Sequence, residues 1–158
     1  MTINEMTKEE CGAFLAKSSL GRLGCSLDNQ PYVLPIYSAY DSGYVYVLST
    51  FGQKIEWMRA NPKVCIEVDE IVTESQWTSV VASGSYEELP EPQYAEERKH
   101  AEKLLAKHRG WTQNALGERQ LRMGDNLIDA LFFRIHVDSM TGLRAVDDST
   151  ESGKDKRQ

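Results

Sequence analysis

The sequence is poor in cysteine and contains neither a leader-like start nor a long apolar segment. Its three cysteines, Cys11, Cys25 and Cys65, form no CxxC pair, which fits neither a zinc site nor a disulfide framework and favours a reducing compartment. Residues 1–10 lack the basic and apolar regions of a signal peptide, and no apolar run approaches the roughly 20 residues that span a bilayer. We therefore expect a cytoplasmic protein with no membrane partner and no metal site.

Positive charge is also scarce. The 18 Lys and Arg against 24 Asp and Glu leave a formal net charge of -6, which argues against a nucleic-acid partner. With 158 residues, 41% of them hydrophobic, the chain suits one domain that buries about 70% of its unfolded surface. We expect this domain to cover residues 1–146. Residues 147–158 carry no apolar side chain and predict a disordered polar tail.

Local patterns predict a chain that begins with a helix and continues mainly as β-strands. Thr7 and Glu10 have the spacing of a capping box ahead of a short helix that ends near Lys17. Aromatic and β-branched residues then predict strands at 20–27, 32–40, 44–50, 63–69, 77–89 and 131–137, and an extended piece at 143–146 after a turn at 139–142. Gly84 predicts a bulge, and the two apolar faces of 44–50 indicate a central strand.

Helices are predicted to lie outside the strands. Ile55 and Met58 give an inward face to a short helix at 52–61. A charged helix at 93–108 predicts a covering layer, and 110–124 could add another short helix. The inward residues of the covering helix are Tyr94, Ala101, Leu104 and Leu105. Short strands joined mostly by turns favour a small antiparallel β-barrel with peripheral helices over βαβ units.

The segment Ser49-Thr50-Phe51-Gly52-Gln53-Lys54 carries the main chemical signal, because it passes from the end of a strand to the start of a helix. In one interpretation Thr50 is the N-cap and Gln53 its capping-box partner, so that no ligand is needed. In the other, two hydroxyls, the Lys54 ammonium and free backbone N–H groups converge on a phosphate. Lys54 stands at the positive end of the helix dipole, where an anion would compensate it.

Several segments follow one another in an order that resembles a known family. They are 31–37 (PYVLPIY), 43–46 (GYVY), 52–54 (GQK), 61–65 (NPKVC) and 77–84 (WTSVVASG). Together they resemble the pyridoxamine 5'-phosphate oxidase-like FMN-binding split barrels, and they are most similar to the small single-domain branch that includes nitroimidazole-reductase-like proteins. The resemblance spans about residues 20–89. It implies a mainly β fold with peripheral helices, a six-stranded antiparallel split β-barrel of Greek-key type.

The resemblance also implies a binding site for FMN. It places the backbone of Leu34, Pro35, Ile36 and Tyr37 along the isoalloxazine edge, Leu48, Ser49 and Thr50 near the ribityl chain and phosphate, and Ser79 with nearby Trp77 at the ring's polar edge. Gln53 and Lys54 match the basic pair that holds the phosphate, although Gln53 stands where the oxidase has Arg. The phosphate therefore lacks one of the two charge partners that it has in the oxidase. Arg22 or a residue of a partner subunit could supply the missing charge. A role as a packing aromatic explains Trp77 equally well.

The activity that the resemblance implies is electron transfer through FMN, in a homodimer whose subunits share the flavin groove. A nicotinamide donor would supply electrons and a small acceptor would take them, so we assign no catalytic side chain. Deazaflavin in place of FMN, non-catalytic flavin binding or sensing, and a haem-binding variant of the same barrel remain alternatives. The spacing of His100 and His108 favours solvated helix residues over a ligand pair. The C-terminus lacks the Arg and His pattern of vitamin B6 oxidation.

Overall fold

The computed structural model describes the backbone of residues 1–107, 120–123 and 126–150 and the side chains of residues 1–107 and 130–149. In chain order the elements are β1 (Thr2–Glu5), α1 (Lys8–Lys17), β2 (Leu20–Leu27), β3 (Gln30–Tyr37), β4 (Ala39–Asp41), β5 (Tyr44–Thr50), α2 (Gln53–Ala60), β6 (Lys63–Thr73), β7 (Gln76–Glu88), α3 (Ala95–Ala106), β8 (Gln120–Met123) and β9 (Asn126–Val146), followed by a 3-10 turn at Asp148–Thr150.

The described strands form one antiparallel sheet that curls into a split barrel. Hydrogen-bonded neighbours follow the order β3-β2-β6-β7-β9-β5-β4, and β1 and β8 also pair with β9. The 21-residue β9 holds the sheet together, because along its length it pairs with β8, β5, β7 and β1. β3 ends the order and lies against β5 without strand pairing. The barrel is therefore split between β3 and β5, which confirms the predicted mainly β fold with peripheral helices.

The strand pattern departs from the prediction in four places. A strand, β1, precedes the first helix because residues 2–5 pair with the far end of β9. The predicted strand at 32–40 is divided at Ser38 into β3 and β4. The predicted turn at 139–142 lies inside β9, where continuous pairing with β7 outweighs the turn propensity of its residues. Residues 120–123, in the segment for which a further short helix is considered, instead form the strand β8, which pairs with β9. With β1, the division at Ser38 and β8, the described residues form nine strands rather than six.

The bulge that the sequence predicts at Gly84 is present, with the extra residue, Asp138, on the partner strand β9. The pairing of β7 with β9 shifts register between Ser83 and Gly84. A Cβ at Gly84 would lie 2.0 Å from the carbonyl oxygen of His136, so the close approach of the two backbones requires glycine. The bulge lets one long pair of strands bend around the core.

Of the two helix N-caps considered from the sequence, the one at α1 is confirmed and the one at α2 is wrong. At α1 the capping box is present, since the Glu10 N–H donates to Thr7 Oγ1 at 3.2 Å and the Thr7 N–H to Glu10 Oε1 at 3.0 Å. At α2 the N-cap is Gly52, with no side-chain hydrogen bond, and not Thr50 with Gln53. The chain stays extended through Gly52, so Thr50 ends β5 too far upstream to cap the helix.

Two hydrophobic clusters fill the barrel and the space beneath α3. The larger contains Leu15 and Leu23 with residues of α2 and the inner sheet face, and each fully buried Leu, Ile or Phe contributes about 1.5–3 kcal/mol. The smaller packs Ala101 and Leu105 of α3 against Leu89. Tyr94 and Leu104 pack against the same cluster, as predicted for the covering helix. In the described part of the chain no helix is long and apolar enough to cross a membrane.

The start of the predicted tail contacts the N-terminus. The Met1 ammonium lies 2.6 Å from Asp148 Oδ2, and Thr2 Oγ1 donates to Asp148 Oδ1 at 2.7 Å. Residues 151–158 lie outside the described residues. So does most of the 110–124 segment, of which 120–123 forms β8. His108 and the C-terminal end of the predicted 93–108 helix also fall outside.

Candidate functional site

A cavity of about 370 Å³ opens at the split between β3 and β5, beside the start of α2. Its lining residues are Leu20, Pro35, Ile36, Tyr37, Val47, Leu48, Ser49, Thr50 and Lys54. Small-molecule sites usually have volumes of about 300–1,000 Å³, so this cavity is at the lower end of that range. Its walls are apolar along the strands and polar at the end where β5 leads into α2.

The first turn of α2 forms the polar end of the cavity. Because the cap is Gly52 and contributes no side-chain hydrogen bond, the first N–H groups of the helix are left to solvent or to a ligand. These groups carry the positive end of the helix dipole. Lys54, in the same turn, lines the cavity. Backbone donors and an ammonium group are therefore adjacent, as in sites that bind phosphate.

Lys54 is half-buried and has no carboxylate partner among the described residues. Burial lowers the pKa of its ammonium group, and the neighbouring Cys25 thiol opposes this effect. A partly desolvated cation without a counter-ion costs free energy, and a bound anion offsets that cost. The electrostatics of the cavity end thus favour a negatively charged ligand group.

Two hydroxyl groups lie beside this end of the cavity. Ser49 is buried, with 6% of its surface exposed, and its Oγ donates to the Thr50 carbonyl oxygen at 3.0 Å. Thr50 is half-buried and is the last residue of β5. Both hydroxyl oxygens can still accept hydrogen bonds, and Thr50 can also donate one. The site combines them with Lys54 and the first turn of α2.

The opposite wall is the free edge of β3. In the described part of the fold β3 pairs only with β2, so its second edge has no strand partner. Pro35 and Ile36 of this strand line the cavity. An unpaired strand edge offers peptide N–H and C=O groups to a planar ligand that has donors and acceptors along its rim. A flavin ring has such a rim.

The structure brings most of the predicted site residues together. Pro35, Ile36, Tyr37, Leu48, Ser49, Thr50 and Lys54 line the one cavity. Leu34 does not; it lies two residues further from the cavity than Ile36 on the same face of β3 and packs against the larger hydrophobic cluster. Gln53 is exposed at the start of α2 and does not line the cavity. The sequence analysis did not identify Leu20 and Val47 as lining residues. Leu20 could have been found from the β2–β3 hairpin, whose register pairs it with Tyr37.

Trp77 and Ser79 lie on β7, away from this cavity. Trp77 lines a second cavity of about 350 Å³, together with Lys17 and Arg144. Ser79 Oγ donates to Glu67 Oε1 at 3.1 Å. The isolated chain therefore does not place these two residues beside Lys54. Arg22 is the other candidate for a phosphate partner, and its Nη1 atom lies 3.6 Å from Asp69 Oδ2. The strand register puts Arg22 and Asp69 on the same face of the sheet as Ser79 and Trp77, the outer face, which points away from the barrel core.

The histidines and cysteines whose side chains are described do not line the β3–β5 cavity. His100 Nε2 lies 2.8 Å from Asp41 Oδ2, and His136 stacks on Tyr44 with ring centroids 5.0 Å apart. The three cysteines are free thiols. Among the described side chains no group of three or more His, Cys, Asp or Glu residues is placed to hold a metal ion.

Comparisons with known proteins agree with this architecture. The family model described as Pyridoxamine 5'-phosphate oxidase matches residues 7–144. An uncharacterised protein of Rhizobium meliloti (strain 1021) is 40% identical over 147 residues, which are 92% of this chain and 97% of that protein. A solved FAD-binding protein of Mesorhizobium loti is 37% identical, with a TM-score of 0.74 over 92% of this chain and 100% of the other.

A more distant relative shares the fold. The FAD-binding protein of Mycobacterium smegmatis is 20% identical, with a TM-score of 0.62 over 88% of this chain and 97% of that one. Because the family model covers nearly the whole described barrel, the chain belongs to the pyridoxamine 5'-phosphate oxidase family.

Proposed function

We propose that this protein is a flavoprotein and that the β3–β5 cavity holds the isoalloxazine, ribityl and first phosphate part of a flavin nucleotide. The observation that carries the proposal is the convergence of the half-buried Lys54 and the uncapped start of α2 at one end of an otherwise apolar cavity. The chemistry of these groups fits a ligand that is flat and apolar at one end and anionic at the other.

The residues divide into two roles. Lys54, the hydroxyls of Ser49 and Thr50 and the first N–H groups of α2 would hold the phosphate. The edge of β3 that lines the cavity, Pro35 to Tyr37, would bind the polar rim of the ring, with Leu48 against the apolar part. The Mesorhizobium loti protein, at 37% identity, is described as FAD-binding, and FAD contains the whole of FMN. That relationship supports a flavin in this cavity.

The proposed reaction class is oxidoreduction. A bound flavin supplies reversible two-electron chemistry between a nicotinamide donor and a small acceptor. The chain contributes binding, orientation and a partly apolar wall, and the proposal assigns no side chain to acid or base catalysis.

We also propose that the functional unit is a homodimer. The outer face of the sheet, from β3 through β2, β6 and β7 to β9, carries exposed apolar residues, among them Val33 of β3 at 65% and Leu143 of β9 at 44% exposure. Leu143 pairs with Ser79. Leu20, 43% exposed, lies both at this face and in the cavity wall. A second copy on this face would cover the open cavity and bring its own Trp77 and Ser79 towards it. The pattern is typical of an interaction surface.

The test is the visible absorption spectrum of the full chain as purified, and again after incubation with FMN or FAD and gel filtration. We expect flavin bands that remain with the protein and bleach anaerobically with NADH or NADPH. The Lys54→Ala variant should retain less flavin, whereas Lys8→Ala, which changes an exposed lysine on α1, should retain the wild-type amount. A protein without retained flavin, or one with a Soret band, contradicts the proposal. If the protein retains flavin but neither NADH nor NADPH reduces it, the result supports flavin binding and contradicts the proposed oxidoreduction.

A further inference from the structure

Phe51 is an exposed aromatic residue at the phosphate end of the cavity. It follows Thr50 directly in the chain, keeps 50% of its surface exposed and belongs to neither hydrophobic cluster. An isolated exposed phenyl group adds little to the stability of the fold. Thr50, which precedes it, and Lys54, three residues further on, both line the cavity, so this exposed ring lies at the phosphate end of the site.

The ring of Phe51 is held in place from one side. The Arg59 guanidinium lies 4.3 Å from its centroid. Arg59 in turn forms a two-point ion pair with Glu88, with Nε bonded to Oε1 and Nη2 3.1 Å from Oε2, and Tyr86 donates to the same carboxylate at 2.7 Å. Because Glu88 neutralises Arg59, the pair offers a fixed stacking surface rather than an additional phosphate charge.

The charge at the start of α2 is low for a terminal phosphate. Lys54 is the one cation of this first turn, Gln53 is neutral, and Glu56 is acidic in the same turn. A terminal phosphate monoester carries about -1.5 to -2 charges at pH 7. Each phosphate inside a pyrophosphate linkage has only one ionisable oxygen and carries one negative charge. The single positive charge of the half-buried Lys54 ammonium group therefore matches a phosphate of a pyrophosphate linkage better than a terminal phosphate.

We infer that the site is built for a flavin dinucleotide and that Phe51, backed by Arg59, forms a stacking subsite for its adenine. This inference rests on the proposed flavin function and adds the identity of the group beyond the first phosphate. Stacking of a base on an aromatic side chain changes affinity by roughly five- to 150-fold. The dinucleotide should gain this contribution, and the mononucleotide should not.

The experiment titrates the flavin-free full chain separately with FAD and FMN, following flavin fluorescence or heat. We expect FAD to bind at least about tenfold more tightly than FMN. Phe51→Leu should weaken FAD by about the same factor and leave FMN unchanged, because it keeps an apolar side chain but removes the ring. Phe51→Trp should retain the preference. Lys54→Ala should weaken both ligands.

The outcomes separate the inference from the proposed function. Equal affinities of the wild-type chain for FAD and FMN overturn the inference and leave the flavin proposal intact. The same holds if Phe51→Leu weakens both ligands equally, or if a preference for FAD survives that substitution, since the adenine would then lie elsewhere. A wild-type chain that binds neither flavin overturns both.

Discussion

Ser79 donates a hydrogen bond from its hydroxyl to Glu67 Oε1, at 3.1 Å, across the β6–β7 pair. Glu67 lies on the outer face of the sheet next to Asp69, and Arg22 reaches Asp69 from β2. The half-buried Glu67 thus sits among a second carboxylate, a hydroxyl and a guanidinium, on the face that we propose pairs with a second copy. These neighbours therefore shift the pKa of the Glu67 carboxyl group.

The first prediction concerns Glu67 and pH. Burial, and then the adjacent Asp69, raise the pKa of Glu67 above its ordinary value of 4.5, while Ser79 and Arg22 oppose the rise. Because the folded chain holds this proton more tightly than the unfolded chain, the stabilising contribution is fully present below the ordinary pKa. It is lost as pH rises through the raised pKa. The free energy of unfolding of Glu67→Gln should therefore increase relative to wild type between about pH 4 and pH 7.

Urea unfolding at several pH values in that range measures this difference. Glu70→Gln, which changes an exposed carboxylate on the same strand, is the matched control and should follow the wild-type profile. A constant difference between Glu67→Gln and wild type at all pH values would contradict the prediction.

The second prediction concerns Lys54. Replacing it with alanine should weaken flavin binding by about 1.5–3 kcal/mol, the range for a hydrogen bond to a charged group. The unliganded variant should unfold at the wild-type temperature or slightly above it, because the ammonium has no carboxylate partner among the described side chains. Flavin titration and thermal unfolding without ligand give the two values. An unchanged affinity would place the phosphate elsewhere.

The third prediction concerns the Gly84 bulge. Gly84→Ala should destabilise the fold by roughly 2–4 kcal/mol, since the added Cβ meets the backbone of His136 and cannot move aside. Gly52→Ala is the control: nothing lies within 4 Å of an added Cβ there, and the extended backbone suits any residue. Its cost at the N-cap should stay below about 1 kcal/mol. Equal unfolding free energies for the two variants would argue against a packing role for Gly84.

The fourth prediction concerns the outer face. Leu143→Asp places a charge beside Ser79 on the exposed apolar surface and should convert a dimer to monomers, with loss of flavin retention. Lys103→Gln on α3 changes the net charge equally at an exposed position and should leave both unchanged. Sedimentation velocity and the absorbance of bound flavin provide the measurements. A variant that stays dimeric and keeps its flavin would exclude this face as the interface.

Local sequence signals determined the parts of the structure that depend on near neighbours. The Thr7–Glu10 capping box, the two apolar faces of β5 and the bulge at Gly84 follow from spacing and residue type, and they are present as predicted. The resemblance carried by the 31–37 and 52–54 segments also identified most residues that line the β3–β5 cavity. These residues come from two strand ends and one helix start, whose relative placement the family pattern encodes.

Only the tertiary structure decided the features that depend on distant pairing. Residues 2–5 become a strand because the end of β9 offers a free edge, and β9 continues through its turn-like residues because β7 pairs with it. The same pairing places Trp77 and Ser79 on the outer face, away from Lys54. Which strands pair, and which face of each strand is exposed, depends on backbone hydrogen bonds between segments that are distant in sequence. A local pattern of side chains does not specify these pairings.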